Sequence, residues 1–260
     1  MRILFIGDIV GKPGRDIVKK RLLAVREKEK IDIVIANGEN AAGGSGITPK
    51  IVEELTEDGV DILTSGDHIW KKKEIYDFFK TTTNLIRPLN YPKGAPGEGF
   101  IVKQISQGGK IAVINLIGRV FMNALDCPFD RVRQEIEKIR RETPLIIVDM
   151  HAEATSEKVA MGWFLDGAVS AVIGTHTHIQ TADEKILPGG TAYLTDCGMT
   201  GPYDSVIGRE KSRILTGFLT KLPVRYEIAE GWIEMHGAII EVDSKTGKAL
   251  SIKRVQEKYE

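Results

Sequence analysis

The chain has 260 residues, a length that suits one large domain or at most two small ones. Its 36 Lys and Arg residues balance its 36 Asp and Glu residues, so charge gives no argument for a nucleic-acid or membrane partner. A nucleotide substrate is still compatible with this balance, because a metal site can supply positive charge locally.

The two cysteines, Cys127 and Cys197, are far apart in the chain and form no Cys-x-x-Cys motif, so neither a zinc knuckle nor a redox pair is supported. A reduced intracellular compartment is the default for such a chain. The amino terminus turns polar after a few residues, unlike a signal peptide, and no apolar stretch is long enough to span a membrane. We therefore expect a soluble, cytoplasmic protein.

Apolar runs alternate with helical segments through the first half of the chain. Strands are predicted at residues 3–6, 31–36 and 60–64, and helices at residues 16–30, 49–57 and 70–80. This β-α order indicates parallel strands that are joined by crossover helices.

The second half adds hairpins to this pattern. Residues 87–99 are rich in Pro and Gly and predict a loop. Two pairs of strands predict hairpins, residues 100–106 with 110–116 around Gln107-Gly108-Gly109, and residues 234–242 with 249–255. A helix is predicted at residues 130–141, and strands at residues 145–148, 168–173 and 191–194. The mixture indicates two sheets packed face to face with helices outside, in a single domain over residues 1–260.

Polar residues follow five of the apolar runs. The side chains are Asp8, Glu39 with Asn40, Asp67 with His68, His151, and the pair His176 and His178. In an α/β fold the loops at the strand ends meet at one edge of the sheet, where ligands bind. Imidazole and carboxylate groups bind transition metals, and there are more candidates than one ion needs. The pattern therefore predicts two metal ions that share a bridging ligand.

Each of these residues also has a purely structural interpretation when it is taken alone. Asp8 could cap a helix, and His176-Thr177-His178 could be a solvated turn. In an extended loop, however, His176 and His178 would lie on one face, whereas Asp67 and His68 would point to opposite sides. One of these two residues can therefore bind metal while the other faces the substrate. The joint occurrence of the five motifs favours the metal site.

The motifs, taken in order, resemble those of the calcineurin-like metallophosphoesterases. The chain departs from the general pattern at Asp8-Ile9-Val10, which lacks a His, and at Glu39-Asn40, which replaces an Asp. Both departures match the YmdB-like 2′,3′-cyclic-nucleotide phosphodiesterases. The matching segments are residues 7–15, 37–44, 151–158, 174–183 and 195–202.

The resemblance implies a four-layer αββα sandwich of two mixed β-sheets flanked by helices. It implies one metal ion held by Asp8, Glu39, Asn40 and His178, and a second held by Glu39, Asp67, His151 and His176, with Glu39 as the bridge. It also implies that His68 is the proton donor and that the metals are iron, with manganese as a substitute. The ligand set itself suits iron, manganese and zinc. The family has Asn where this chain has Asp67, which adds negative charge near an anionic substrate.

The implied activity is hydrolysis of small phosphodiesters, with 2′,3′-cyclic nucleotides as the favoured substrates, by attack of a hydroxide that bridges the two ions. Two alternatives stay open: a phosphomonoesterase such as a nucleotidase, and a regulatory or scaffold protein that keeps the metal site with little activity. The expected partner is a small phosphodiester, with no nucleic-acid or membrane binding. Residues 203–232 could form a surface for a homo-oligomer.

Overall fold

Thirteen strands form two mixed β-sheets in residues 1–105 and 109–259, the part of the chain that this computed structural model describes. In chain order they are β1 (Arg2–Ile6), β2 (Asp8–Ile9), β3 (Ile33–Asn37), β4 (Ile62–Thr64), β5 (Phe100–Gln104), β6 (Lys110–Ile117), β7 (Ile146–His151), β8 (Ala171–Thr175), β9 (Lys185–Ile186), β10 (Ala192–Leu194), β11 (Met199–Pro202), β12 (Ile233–Val242) and β13 (Ala249–Tyr259).

The first sheet has the strand order β2-β11-β12-β1-β3-β4, with β13 also paired to β12. The second sheet has the order β5-β6-β7-β8-β10-β9. Each contains a parallel core, β1-β3-β4 in the first sheet and β6-β7-β8-β10 in the second. The antiparallel pairs β5-β6 and β12-β13 confirm both predicted strand pairs, although Ser106, Gln107 and Gly108 lie outside the described residues.

Six α-helices are formed by residues 1–105 and 109–259. They are α1 (Gly11–Glu29), α2 (Pro49–Glu57), α3 (Ile75–Phe78), α4 (Pro128–Glu142), α5 (Thr155–Phe164) and α6 (Lys211–Thr220). None of the helices in residues 1–105 and 109–259 is both long enough and apolar enough to cross a membrane.

Successive side chains along the strands pack into different apolar clusters, and these clusters separate four layers. In β1, Leu4 and Ile6 join the apolar cluster that contains the buried residues of α1 and α2. Ile3 and Phe5 face the other way, into a cluster shared with the second sheet. The second sheet repeats this pattern, because alternate residues of β6 join the cluster under α4 and α5. Successive side chains of a strand point to opposite faces, so the order is helix, sheet, sheet, helix, and the αββα prediction is confirmed.

The predicted start of the first helix at Asp16 is wrong, since α1 begins at Gly11. Gly and Pro usually mark a loop, but Pro13 lies in the first helical turn, where a missing N–H costs no hydrogen bond. Gly14 allows the helix to approach β11, because a Cβ atom there would lie 2.3 Å from the carbonyl oxygen of Thr200. The absence of a side chain at Gly14 thus allows α1 to pack closely against β11.

The helix predicted over residues 70–80 is also wrong. A 3₁₀ turn (Ile69–Lys71) and the short α3 replace it, and Lys72 between them is extended, with φ −114° and ψ 114°. The ring of Trp70 packs against Tyr76, Phe79 and Tyr91 at centroid distances of 5.4, 5.6 and 5.6 Å. These aromatic contacts hold the segment in place without a continuous series of helical hydrogen bonds.

The helices α5 and α6 were not predicted.

Candidate metal centre

The five polar motifs all lie at the carboxyl ends of strands and meet between the two sheets. Asp8 follows β1, Glu39 and Asn40 follow β3, and Asp67 and His68 follow β4, all in the first sheet. The second sheet supplies His151 at the end of β7, and His176 and His178 after β8. The structure thus brings together every residue that the sequence placed at the site.

One group of donors is compact. Ligand atoms of Glu39, Asp67, His151 and His176 all lie within 4.8 Å of one another. Nε2 of His151 is the centre of the group, 3.2 Å from Oε2 of Glu39, 3.2 Å from Oδ1 of Asp67 and 3.0 Å from Nδ1 of His176. A Cβ atom at Gly66 would lie 2.3 Å from both Glu39 and His151, so only glycine leaves room for this group.

A second group adjoins the first through Glu39. Nε2 of His178 is 3.3 Å from Nδ2 of Asn40 and 3.9 Å from Oδ1 of Asp8. Nδ2 of Asn40 donates to Oε1 of Glu39 at 2.8 Å, so the amide nitrogen rather than the oxygen faces this group. Rotation of the amide by half a turn would exchange the two nearly isosteric atoms and present the oxygen.

Asp67 and His68 do not lie in an extended loop, so that expectation is wrong. They form a turn, and His68 has φ −88° and ψ 1° at the start of the 3₁₀ turn. Nδ1 of His68 is 2.8 Å from Oδ1 of Asn40 and 3.3 Å from Oε1 of Glu39, and its Nε2 is 3.7 Å from Oδ2 of Asp67. The imidazole therefore lies beside the carboxylates while 29% of its side chain stays exposed.

The His176-Thr177-His178 segment is not extended either. His176 has φ 98° and His178 has φ 65°, both in the region that L-residues seldom occupy. Both rings still reach the site, but they serve different groups: His176 lies beside His151, and His178 lies beside Asn40. Strained backbone of this kind persists where surrounding contacts hold it in place.

Hydrogen bonds behind the rings fix which nitrogen faces the site. Thr175 donates its hydroxyl proton to Asp149 at 2.7 Å, so it accepts from Nδ1 of His151 at 2.9 Å. His178 uses Nδ1 at 3.0 Å from the carbonyl oxygen of Ile207. Both rings consequently direct the lone pair of Nε2 into the site, the arrangement that ligating histidines adopt.

A buried ion pair holds the loop between the two histidines. Nζ of Lys158 lies 2.6 Å from Oδ2 of Asp196, with side chains 1% and 0% exposed. The same oxygen accepts from the backbone N–H of Thr177 at 3.1 Å and from its hydroxyl at 2.7 Å. Lys158 and Asp196 therefore act on the site through the position of Thr177.

Burial and neighbouring charges shift the pKa values of the carboxylates in the site. Burial raises the pKa of Asp8 despite His178 and His151 nearby. Burial would also raise the pKa of Glu39, but the proximity of His151 and His68 outweighs it and holds that pKa well below its usual value. Burial acts in the same direction at Asp67, where the hydrogen bond to His151 lowers the pKa overall.

The same environment raises the pKa values of two histidines in the site and lowers that of a third. Burial would lower the pKa of His151, but Glu39 and Asp67 outweigh it and raise that pKa well above the usual value. Burial, together with repulsion from His151, lowers the pKa of His176 to about 4. The hydrogen bond to Glu39 raises the pKa of His68.

The donor set fits a metal site. Oδ1 of Asp8 is buried and has no hydrogen-bond partner among residues 1–105 and 109–259. A buried carboxylate oxygen without a partner is costly unless a cation satisfies it. Three carboxylates and three imidazoles on one centre are the donors that transition metals bind. The predicted metal site is thus supported by its geometry.

A cavity of about 290 Å³ opens over the site. Its wall includes Glu39, His68, His176 and His178, and also Glu153 and Arg209, which the sequence did not single out. Glu153 could have been noticed, because it stands two residues after His151, and its carboxylate lies 3.2 Å from Nε2 of His176. Nothing in the sequence pointed to Arg209.

Comparisons with known proteins agree with this geometry. The family model described as YmdB-like protein matches residues 4–255. The chain is 51% identical over 255 residues to the 2′,3′-cyclic-nucleotide 2′-phosphodiesterase of Bacillus subtilis strain 168, covering 98% of this chain and 96% of that protein.

Solved structures agree as well. A protein of Thermus thermophilus described only as hypothetical superposes with a TM-score of 0.93 at 41% identity, covering 99% of both chains. The calcineurin-like phosphoesterase YfkN of Bacillus subtilis superposes with a TM-score of 0.59 at 12% identity, covering 99% of this chain and 90% of that one, and so shares the fold. The chain therefore belongs to the YmdB-like protein family and has the calcineurin-like phosphoesterase fold.

Proposed function

We propose that this protein is a metal-dependent phosphodiesterase that hydrolyses small phosphodiesters, with 2′,3′-cyclic nucleotides as the favoured substrates. The observation that carries the proposal is the packing of donor atoms from Glu39, Asp67, His151 and His176 within 4.8 Å of one another. The activity named for the Bacillus subtilis relative, at 51% identity, supports the choice of substrate.

Two metal ions per chain are part of this proposal. Asp8, Glu39, Asn40 and His178 would hold one ion, and Glu39, Asp67, His151 and His176 would hold the other. The central position of Glu39 supports its role as the bridge, since Oε2 faces His151 and Oε1 faces Asn40. Iron is the proposed metal, and manganese and zinc suit the same mixture of nitrogen and oxygen donors.

When bound, the metal ions would supply positive charge that neutralises the anionic ester, and they would lower the pKa of a water molecule so that hydroxide is available as the nucleophile at neutral pH. The protein would supply the proton for the leaving oxygen. His68 is the proposed donor, because its ring lines the cavity and its Nδ1 lies 2.8 Å from the side-chain amide of Asn40, which can hydrogen-bond to it in either orientation. This leaves Nε2 to deliver a proton to the substrate, the role of a general acid.

The size of the cavity supports a small substrate. A volume of about 290 Å³ is at the lower end of ligand pockets, and suits a phosphate with its ribose better than a polymer. A 2′,3′-cyclic phosphate has a strained ring and a leaving group that stays tethered to the ribose. Both features make cleavage of this ester favourable.

The proposal also includes a cellular location and an oligomeric state. Cys127 and Cys197 are both free thiols, which supports the proposed cytoplasmic location. Homo-oligomer formation through residues 203–232 is supported by exposed apolar side chains in this segment, including Phe218 and Leu219 at 68% and 83% exposure.

The test compares a diester with a monoester. Protein loaded with manganese is assayed on bis-p-nitrophenyl phosphate and on p-nitrophenyl phosphate, and Glu39→Gln serves as the control for contaminating phosphatases. The proposal predicts faster hydrolysis of the diester by the parent protein and little by the variant. Preference for the monoester would instead favour a phosphomonoesterase, and no hydrolysis of either would favour a regulatory protein.

A further inference from the structure

A half-buried guanidinium lies on the wall of the cavity. Arg209 lines this cavity together with His68, His176 and His178. Among residues 1–105 and 109–259, no carboxylate lies within 4.0 Å of its side-chain nitrogens. Burial lowers the pKa of Arg209, but an arginine side chain stays charged in proteins. A half-buried positive charge that faces a cavity without a carboxylate partner favours the binding of an anion there.

The loop that carries Arg209 is fixed to the metal centre. Ile207 has φ 46° and Gly208 has φ 92°, a tight turn in which Oγ of Ser205 accepts from the N–H of Gly208 at 2.8 Å. The carbonyl oxygen of Ile207 lies 3.0 Å from Nδ1 of His178. Because Arg209 is only two residues along the chain from Ile207, which orients a proposed metal ligand, it is held in a defined position relative to the site.

Gly44 holds the guanidinium from the other side. Its carbonyl oxygen accepts a hydrogen bond from Nη2 of Arg209. Gly44 has φ 81°, and a Cβ atom there would lie 2.4 Å from Nη1 and 2.8 Å from Nη2. The guanidinium thus occupies the space that any larger residue at position 44 would fill. This is the one side-chain hydrogen bond of Arg209 within the described part of the chain, so most of its N–H donors remain for a ligand.

We infer that Arg209 binds the phosphate group of the substrate and that Gly44 positions it to do so. This inference rests on the proposed phosphodiesterase function for the identity of the ligand. A guanidinium presents a planar fork of N–H donors that matches two phosphate oxygens, and its charge does not depend on bound metal. Arg209 is in this account the residue that adds affinity for the anionic ester beyond what the metal ions supply.

The first test measures binding without catalysis. Inorganic phosphate is titrated calorimetrically into manganese-loaded protein, and metal content is measured on the same samples. Arg209→Gln should weaken phosphate binding roughly 10- to 100-fold, the loss expected for a charged hydrogen bond, with metal content unchanged. Arg209→Lys should recover part of the affinity, because it keeps the charge and loses the fork. Arg213→Gln is the control, since Arg213 is exposed and pairs with Glu227 at 3.2 Å.

The second test uses two neighbouring glycines with the same backbone constraint. Gly43 has φ 68°, and a Cβ atom added there would have no other atom within 4 Å, whereas Gly44 has φ 81° and a Cβ atom there would meet Arg209. Both Ala substitutions introduce a side chain at positive φ, but only Gly44→Ala should weaken phosphate binding. In the double variant, Gly44→Ala should cause little further loss of phosphate affinity beyond that of Arg209→Gln, because the two residues act through one contact.

The outcomes separate this inference from the proposed function. If the parent protein binds phosphate but does not hydrolyse diesters, the proposed function fails while Arg209 can still be judged by calorimetry. Phosphate affinity that is equal in the parent and Arg209→Gln overturns the inference. Loss of metal from Arg209→Gln also overturns it, because Arg209 would then act by holding the Ile207 loop against His178.

Discussion

The buried pair between Lys158 and Asp196 gives the sharpest prediction about stability. Lys158→Met keeps an unbranched chain of similar length and removes the ammonium group. The carboxylate of Asp196 stays buried with its hydrogen bonds from Thr177 and Gly198, but without a counter-ion. A buried charge that loses its partner is costly, and the cost appears as a lower free energy of unfolding.

The magnitude follows from the burial of both groups, whose side chains are 1% and 0% exposed. Removal of one member of such a pair typically costs about 3–5 kcal/mol. For a chain of this size, each kcal/mol lowers Tm by roughly 2–4 °C, so we expect a loss of roughly 6–20 °C.

Urea unfolding in the presence of chelator measures the effect without the contribution of bound metal. The matched control is Lys211→Met. Lys211 pairs with Asp204 at 2.6 Å, but the side chains are 51% and 54% exposed, so the loss should stay below about 1 kcal/mol. Lys158→Met/Asp196→Asn removes both charges and should unfold less easily than Lys158→Met. A Lys158→Met protein as stable as the Lys211→Met control would refute the reasoning.

The remaining predictions concern the metal centre. Glu39→Gln should lower the content of both metal ions, whereas His178→Ala should mainly lower one; mass spectrometry that finds the same single ion lost from both variants would show that Glu39 is not the bridge. Asp67→Asn removes a negative charge, so it should bind metal more weakly but turn over faster at saturating manganese; equal or slower turnover with full metal content contradicts the charge argument. His68→Ala should keep its metal and lose roughly 10²–10⁴-fold in turnover on a cyclic nucleotide. The loss should be smaller on a p-nitrophenyl ester, whose leaving group needs no proton, and an equal loss on both substrates would mean that His68 is not the acid.

The strands were predictable because burial on both faces leaves continuous apolar runs, such as Ile3 to Ile6 and residues 145–148. The strand ends were predictable because a polar residue follows each apolar run. The same polar residues predicted the group at one edge of the sheets, which contains Asp8, Glu39, Asp67, His151 and His176. Helix boundaries were less predictable. The helix α5 begins inside the His151–Lys158 motif, where ligand and loop residues obscure the helical pattern.

The detailed geometry of the site depended on contacts that are distant in sequence. The left-handed conformations of His176 and His178 are held by Asp196 and by Ile207, and neither constraint is visible locally. The same holds for Arg209, which reaches the cavity through a loop far from every metal ligand in sequence. Local patterns predicted which residue types the site contains, and tertiary contacts determined which atoms they present.

Titration of chelator-treated protein with manganese, followed by hydrolysis of 2′,3′-cyclic AMP, tests the central proposal most directly. With two ions sharing Glu39, activity should stay low through the first equivalent of metal and rise with the second, with a ribonucleoside monophosphate as the product. Full activity at one equivalent, or protein that holds two equivalents and leaves the cyclic nucleotide intact, would contradict the account.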